Sequence, residues 1–241
     1  MVEYPPYGYA KDYGYYHTVA HKCECAGATS SDYRRSRSLI PKDYLDKRGK
    51  DFNWSLYSCN VDKQKAIVND FIINFTDFEM NGKGLYIYSK TKGTGKTMLS
   101  CCIANEILQK YDMSVKFISV LDFMDLVRKN YKNDEYGEEI HSLFRCRLLI
   151  LDELGVEIKK EHTDMMLYQL INERCSNRLT TIITSNLAIE ELNLDDRTVD
   201  RIDKMGIAIK LPDVPVRRIK ADEEKRNFLT RKRKAVTELE N

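Results

Sequence analysis

The chain has 241 residues, of which 42% are hydrophobic and 32% are charged, and its formal net charge is +2 at pH 7. This size and composition fit one α/β domain with extensions, and no run approaches the roughly 20 apolar residues of a membrane-spanning helix. Residues 1–6 have neither a basic start nor an apolar run, so we expect no secretion signal. Seven cysteines at irregular spacing favour reduced thiols in a cytoplasmic protein, and we expect no membrane partner.

The first 50 residues contain no long periodic segment and are rich in tyrosine. They include four potential metal ligands within nine residues: His17, His21, Cys23 and Cys25. Imidazole and thiolate are the ligands that zinc prefers, but a structural zinc site normally adds a second, distant ligand pair. A zinc site and a tyrosine-rich docking arm with incidental thiols are therefore both open. The basic stretch 34–37 and Pro41 then indicate a linker over residues 30–50.

Residues 52–78 carry apolar side chains at helical spacing, which predicts a helix. Its predicted inner face consists of Ala66, Ile67, Phe71, Ile72 and Phe75. From residue 84 onward, strand and helix patterns alternate. The predicted strands cover residues 84–89, 115–119, 148–151, 180–184 and 207–211, and the predicted helices cover 97–110, 120–130, 161–176 and 195–205. Such alternation predicts a parallel sheet with helices on both faces and a ligand at the carboxyl ends of its strands.

Residues 90–97 lie between the first of these strands and a helix, where a Gly-rich turn ending in Gly-Lys-Thr forms a phosphate-binding loop. Gly93 and Gly95 let the backbone turn tightly, so that its N–H groups point at an anion. Lys96 is expected to reach the β- and γ-phosphates of a nucleotide, and the Thr97 hydroxyl to hold Mg²⁺. The sequence therefore predicts a binding site for a nucleoside triphosphate.

Lys90 departs from the full pattern of this loop, which has glycine at that position. The position opens the turn and does not touch phosphate, so we expect a strained backbone with nucleotide binding retained. Thr94 and Met98 complete the predicted nucleotide contacts.

Polar side chains also follow two later strands. The apolar run 148–151 leads into Asp152 and Glu153, and the strand 180–184 is followed by Asn186. Asp152 is expected to bind Mg²⁺ through water, and Glu153 to orient or deprotonate the attacking water. Asn186 is expected to bond the γ-phosphate or that water; the alternative is an asparagine that only caps a turn.

Two arginines, Arg197 and Arg201, lie four residues apart on one face of the predicted helix 195–205. They either pair with Asp196 and Asp200 or provide an arginine finger, in which one of them reaches a neighbouring subunit's γ-phosphate.

With these elements in place, the chain resembles the DnaC/DnaI-type replicative helicase loaders of the AAA+ ATPases and the related IstB-type transposition helper ATPases, over about residues 52–221. The motifs that carry the resemblance are Gly93-Thr94-Gly95-Lys96-Thr97, Leu149-Ile150-Leu151-Asp152-Glu153-Leu154-Gly155, Thr184-Ser185-Asn186 and Asp196-Arg197-Thr198-Val199-Asp200-Arg201-Ile202. The resemblance implies an AAA+ domain with a missing or truncated lid. It also implies Walker A at 93–97, Walker B at Asp152 and Glu153, sensor 1 at Asn186, an arginine finger at Arg201 and sensor 2 at Arg217, with Arg218 second.

The resemblance further implies three parts: a helicase-docking arm over 1–50, an ATPase domain over 51–215 and a basic C-terminal segment over 216–241. In the arm, Cys23 and Cys25 resemble the second half of a zinc element whose first half is missing, since Tyr7 and Ala10 stand in its place. The implied partners are a hexameric replicative helicase, other copies of the chain through a shared ATP site, and single-stranded DNA. A helix over 122–132 would contact the DNA through Phe123, Arg128, Lys129, Tyr131 and Lys132; a solvated basic helix face is the alternative.

Three functions follow. The first is an ATP-hydrolysing helicase loader, favoured by the amino-terminal arm. The second is a transposition helper that acts on duplex DNA and a transposase. The third is an adaptor that binds nucleotide without hydrolysing it, which Lys90 favours and the Asp152-Glu153 pair disfavours.

Overall fold

The computed structural model of the chain describes residues 2–4, 17–19, 32–133, 135–155 and 161–239. The strands are β1 (Val2–Tyr4), β2 (His17–Val19), β3 (Gly84–Tyr88), β4 (Val115–Ser119), β5 (Leu148–Leu154), β6 (Thr180–Ser185) and β7 (Gly206–Lys210). A short helical segment covers residues 32–36. The longer helices are α1 (Asp62–Ile73), α2 (Phe75–Met80), α3 (Lys96–Lys110), α4 (Val120–Asn133), α5 (Gly137–Arg145), α6 (Glu161–Ser176), α7 (Asp196–Met205) and α8 (Val216–Leu239). Short 3-10 turns span Lys42–Tyr44, Gly49–Asp51, Trp54–Leu56 and Ile189–Glu191.

Five parallel strands form the central sheet in the order β4-β5-β6-β3-β7, and β1 pairs with β2 in a separate antiparallel pair. Because side chains alternate across a strand, successive residues of the sheet enter opposite layers. Ile150 belongs to the layer that contains α1, α2 and α3, whereas Leu149 and Leu151 belong to the layer of α4 to α7. The predicted parallel sheet with helices on both faces is confirmed.

The long predicted helix over 52–78 is wrong. Asn53 accepts a hydrogen bond from the backbone N–H of Ser55 and caps a 3-10 turn, so the helix begins only at Asp62. Its predicted inner face is partly right, because Phe71 and Phe75 are fully buried. Val68 is buried in place of Ala66, which is exposed.

Helix α5, which follows α4 and precedes β5 in the chain, was not predicted from the sequence. Arg174 of α6 is fully buried and fixes the end of α5, because its guanidinium donates to the carbonyls of Leu143 and Cys146 at 2.9 and 3.0 Å. The same side chain donates to the Thr180 carbonyl of β6 at 2.7 Å. One guanidinium thus satisfies carbonyls from two elements.

No helix in the described part of the chain combines the length and the apolar character needed to cross a lipid bilayer.

Candidate nucleotide-binding site

The loop between β3 and α3 has the backbone shape of a phosphate-binding loop. Gly93 and Gly95 have φ angles of 75° and 98°, in the left-handed region that favours glycine. A Cβ atom at Gly95 would also lie only 3.2 Å from the Phe52 ring. Helix α3 begins at Lys96, so its free N–H groups and the positive end of its dipole face the loop.

Lys96 is folded back into the loop. Its Nζ lies 3.1 Å from Ser89 Oγ and 3.3 Å from the Thr91 carbonyl, both of which accept. Burial lowers the pKa of Lys96, and the nearby Asp152 carboxylate partly opposes this shift. A phosphate group at this position would give the ammonium the charged partner that the neutral acceptors do not provide.

Lys90 does not have the strained backbone that we expected, because it is absent from the described residues with positive φ. Its side chain turns outward, and Nζ donates to Glu191 Oε1 at 2.6 Å. The strain prediction is therefore wrong, for the physical reason that this position adopts an ordinary conformation that needs no glycine.

Asp152 connects the sheet to the phosphate-binding loop. It is 5% exposed, and its Oδ2 lies 3.0 Å from the Thr97 hydroxyl, which donates. The Thr184 hydroxyl of the adjacent strand β6 donates to its Oδ1 at 2.5 Å. Burial raises the pKa of Asp152, and the two hydroxyl hydrogen bonds oppose the rise.

Glu153 has an unusual backbone. Its φ is 62°, which is rare for a residue other than glycine, and the pairing of β5 with β6 is irregular between Leu151 and Leu154. The Glu153 side chain is exposed and lines the cavity described next. Strained backbone of this kind is concentrated at functional sites.

An open cavity of about 720 Å³ lies above the carboxyl ends of β3, β5 and β6. Nine of the predicted site residues line it: Gly93, Thr94, Gly95, Lys96, Thr97, Met98, Glu153, Asn186 and Arg217. Asp152 sits behind Thr97 and reaches the cavity through that hydroxyl. Arg218, the second candidate for sensor 2, is exposed and does not belong to the described lining.

Helix α8 starts directly on the phosphate-binding loop, because the backbone N–H of Arg217 donates to the Gly93 carbonyl at 2.9 Å. Val216 is buried in the core, and Lys220 and Ala221 line the cavity one turn later. Arg217 was predicted at the nucleotide site, but neither helix α8 nor the position of Lys220 in the cavity was predicted from the sequence.

The sequence reading also missed a wall of the cavity formed by Tyr44, Lys47 and Asp51. Tyr44 and Lys47 belong to the segment that was predicted as a linker, yet α3 holds this segment closely. Asn105 is 1% exposed, and its Nδ2 donates to the carbonyls of Tyr44 and Lys47 at 2.8 and 2.7 Å. Glu106 Oε1 accepts from the Gly49 N–H at 3.0 Å. A buried asparagine inside the apolar face of α3 was the signal that could have indicated such a neighbour.

Aromatic side chains support the loop from behind. The Tyr57 hydroxyl donates to the Thr94 carbonyl at 2.5 Å, and the rings of Phe52 and Trp54 lie edge to face with centroids 4.7 Å apart. Burial raises the pKa of Tyr57, which keeps its hydroxyl protonated and able to donate.

Arg201 lies away from this cavity. It lines a second cavity of about 460 Å³ together with Lys83, Arg178 and Lys204, and its Nε donates to Asn172 Oδ1 at 2.5 Å. Arg197 is exposed. Neither arginine is within ion-pair distance of Asp196 or Asp200, both of which the structure describes, so the intrahelical pairing alternative is wrong.

The helix predicted to contact DNA is α4, but Phe123 is fully buried beneath it. Phe123 therefore cannot stack on a base, and that part of the prediction is wrong. Tyr131 is 89% exposed, and Arg128 and Lys129 are exposed beside it.

Three of the four predicted zinc ligands lie in a part of the chain that the structure does not describe. His21, Cys23 and Cys25 lie outside the described residues, and of His17 only the backbone in β2 is described. The zinc site stays a prediction.

Comparison with known proteins places this geometry in a family. The curated replicative helicase loader DnaC of Escherichia coli (strain K12) is 30% identical over 146 residues, which is 59% of this chain and 56% of the loader. The replicative helicase loader DnaI of Bacillus subtilis (strain 168) is 29% identical over 126 residues, 52% of this chain and 40% of the loader. The chain thus spans about half the length of the curated relatives it matches.

Solved structures agree on the fold. A crystal structure of DnaI has a TM-score of 0.63 at 23% identity and covers 73% of this chain and 96% of that one. A crystal structure of the DnaC helicase loader has a TM-score of 0.63 at 22% identity. The match covers 71% of this chain and 100% of that one. The sequence profile described as IstB-like ATP binding protein matches residues 27–201. The chain therefore belongs to the IstB-like ATP-binding family, and it shares the fold of these two solved structures.

Proposed function

We propose that this chain is an ATP-hydrolysing loader that places a hexameric replicative DNA helicase on single-stranded DNA in the cytoplasm. The observation that carries the proposal is that the phosphate-binding loop, Glu153 and Asn186 line the same cavity. The names of the E. coli and B. subtilis relatives support the helicase as partner. In this proposal residues 1–50 dock on the helicase, 51–215 hydrolyse ATP, and 216–241 form a basic segment.

Each side chain in the cavity has a task in phosphoryl transfer to water. Lys96 and the N–H groups of the loop bind the phosphates, and Glu153 orients or deprotonates the attacking water. Asn186 bonds that water or the γ-phosphate. Arg217, at the start of α8, lines the same cavity and stabilises the negative charge that develops on the phosphates.

The residues at the phosphate end of the cavity fit a magnesium ion, which would be held by Thr97 and, through water, by Asp152. Their oxygens are the donors that Mg²⁺ prefers, and they already lie 3.0–3.1 Å apart. Within the described residues no three His, Cys, Asp or Glu side chains gather into a metal site. When bound, the ion would neutralise charge on the phosphates.

We also propose that the site is shared between copies of the chain. Arg201 lies in a second cavity, outside the site of its own chain, as a residue that serves a neighbour must. Adding Arg201→Ala protein to wild-type protein should then lower hydrolysis more than simple dilution does. A loss in strict proportion to the mixing ratio would contradict the shared site.

The proposal is tested by light scattering coupled to size exclusion, on the full chain mixed with the hexameric replicative helicase of its own organism. A stoichiometric complex is expected with ATP, and it should be lost in Asp152→Ala. If no complex forms with ATP or ADP, the loader proposal fails.

The second candidate is a transposition helper acting on duplex DNA and a transposase, and it is favoured by the match to the IstB-like profile. Its test is ATP-dependent binding to duplex DNA without helicase. The third candidate is an adaptor that binds nucleotide without hydrolysing it. It requires that the purified protein show no ATP turnover, or only turnover that Glu153→Gln leaves unchanged.

A further inference from the structure

Thr184 of β6 holds a central position beneath the cavity, although its hydroxyl had no predicted task. The residue is 1% exposed. Its Oγ1 donates to Asp152 Oδ1 at 2.5 Å and accepts from the backbone N–H of Glu153 at 3.0 Å. A hydroxyl has one proton and two lone pairs, so it makes both bonds at once.

The first bond fixes the orientation of the Asp152 carboxylate. Thr97 Oγ1 lies at nearly the same distance from the two oxygens of that carboxylate, 3.1 and 3.0 Å, and has one proton to give. Because Thr184 already occupies Oδ1, the Thr97 proton is best directed to Oδ2. The plane of the carboxylate is therefore set from below by Thr184.

The second bond supports the backbone irregularity at Glu153. In a regular strand, neighbouring side chains point to opposite faces of the sheet. Here the pairing is irregular between Leu151 and Leu154 and the φ of Glu153 is 62°, while the Glu153 side chain lines the cavity and Asp152 reaches it through Thr97. An irregular strand leaves a backbone N–H without its ladder partner, and the Thr184 hydroxyl accepts from this one.

We propose that Thr184 is a positioning residue that sets both carboxylates of the site, Asp152 through its side chain and Glu153 through its backbone. This inference rests on the proposed hydrolysis at this cavity and adds a residue to it.

The test compares Thr184→Val, which keeps the shape but removes the hydroxyl, with Thr184→Ser, which keeps the hydroxyl. Thr180→Val is the matched control, because Thr180 is a buried threonine of the same strand whose Oγ1 has no hydrogen-bond partner among the described residues. Steady-state hydrolysis of ATP gives kcat and KM. Binding of a fluorescent ADP with and without Mg²⁺, and Mn²⁺ binding followed by electron paramagnetic resonance, give readouts independent of turnover.

In Thr184→Val we expect kcat to fall at least about tenfold with KM within about threefold, since the loss concerns positioning of groups that act in the transition state. The increase in ADP affinity that Mg²⁺ causes should also be smaller in this variant. Thr184→Ser and Thr180→Val should both stay close to wild type. An unchanged Thr184→Val, or a Thr184→Ser as impaired as the valine variant, would overturn the inference.

The metal-binding readout separates the two proposals. If the wild-type chain does not hydrolyse ATP, the proposed hydrolysis fails, and the effect of Thr184→Val on Mn²⁺ binding still decides whether Thr184 positions Asp152.

Discussion

Lys90 Nζ donates to Glu191 Oε1 across 2.6 Å, which directs the side chain at the first position of the phosphate-binding loop away from the nucleotide cavity. The hydrogen bond to Glu191 raises the pKa of Lys90, and both groups are exposed to solvent. The lysine that replaces glycine at this position therefore lies on the outer surface of the loop, away from the nucleotide cavity.

Replacing Lys90 with glycine should leave nucleotide binding nearly unchanged, within about twofold, because exposed ion pairs contribute little. The measurement is a titration of the purified variant with fluorescent ATP, beside Lys96→Ala, which should lose binding. A loss in Lys90→Gly comparable to that of Lys96→Ala would mean that Lys90 contacts the phosphates after all.

Replacing Asn105 with alanine should weaken binding of ATP and ADP but not of inorganic tripolyphosphate. Asn105 Nδ2 holds the carbonyls of Tyr44 and Lys47, and this wall lies on the part of the cavity that the phosphate-binding loop does not line. We expect a cost of about 1–2 kcal/mol for nucleotide, from the two carbonyls that lose their donor.

Isothermal titration with the three ligands checks this prediction. Gln64→Ala is the matched control, because Gln64 Nε2 also donates to a backbone carbonyl, that of Lys210, outside the described cavity lining. An equal loss for tripolyphosphate and ATP would show that Asn105 supports the whole loop and not the nucleoside side.

Replacing Tyr131 with alanine should weaken single-stranded DNA binding by about 1–3 kcal/mol, the usual contribution of a stacked base, and leave the melting temperature unchanged. Phe123→Ala should instead lower the free energy of unfolding by about 3–5 kcal/mol, because its ring is fully buried. Fluorescence anisotropy with a labelled oligonucleotide is the measurement. Tyr33→Ala, at an exposed tyrosine outside α4, is the control, and equal DNA affinity in both tyrosine variants would exclude stacking on Tyr131.

Replacing Arg174 with methionine should lower the free energy of unfolding by about 3 kcal/mol, since the buried carbonyls of Leu143, Cys146 and Thr180 lose their donor. Burial lowers the pKa of Arg174, because the buried environment disfavours its charge. Removing that charge offsets only part of this loss. Urea unfolding measures the difference, and Arg174→Lys should be intermediate because an ammonium cannot reach all three carbonyls. A methionine variant as stable as wild type would mean that the carbonyls find other partners.

The parts of the site that depend on local sequence could be predicted. The phosphate-binding loop is a strand, a turn and a helix that are contiguous in the chain, and the apolar strand before Asp152 is just as local. The left-handed backbone of Glu153 could not be predicted, because it arises from the pairing of β5 with β6 and from the hydroxyl of Thr184. The wall that contains Tyr44 could not be predicted either, because it is held by side chains about 60 residues later in the chain. The position of Phe123 in the helical pattern did not show that its ring is buried.

The hydrogen bond between the Arg217 N–H and the Gly93 carbonyl lies at one end of a helix of 24 residues. A helix of that length extends for about 36 Å, so a rotation of about 10° where it meets the loop would displace Leu239 by about 6 Å. A change in the loop too small to alter the fold would thus become a displacement as large as a side chain at the far end of α8. Under the proposed function, a partner that contacts that end would distinguish the ATP-bound from the ADP-bound chain without approaching the nucleotide.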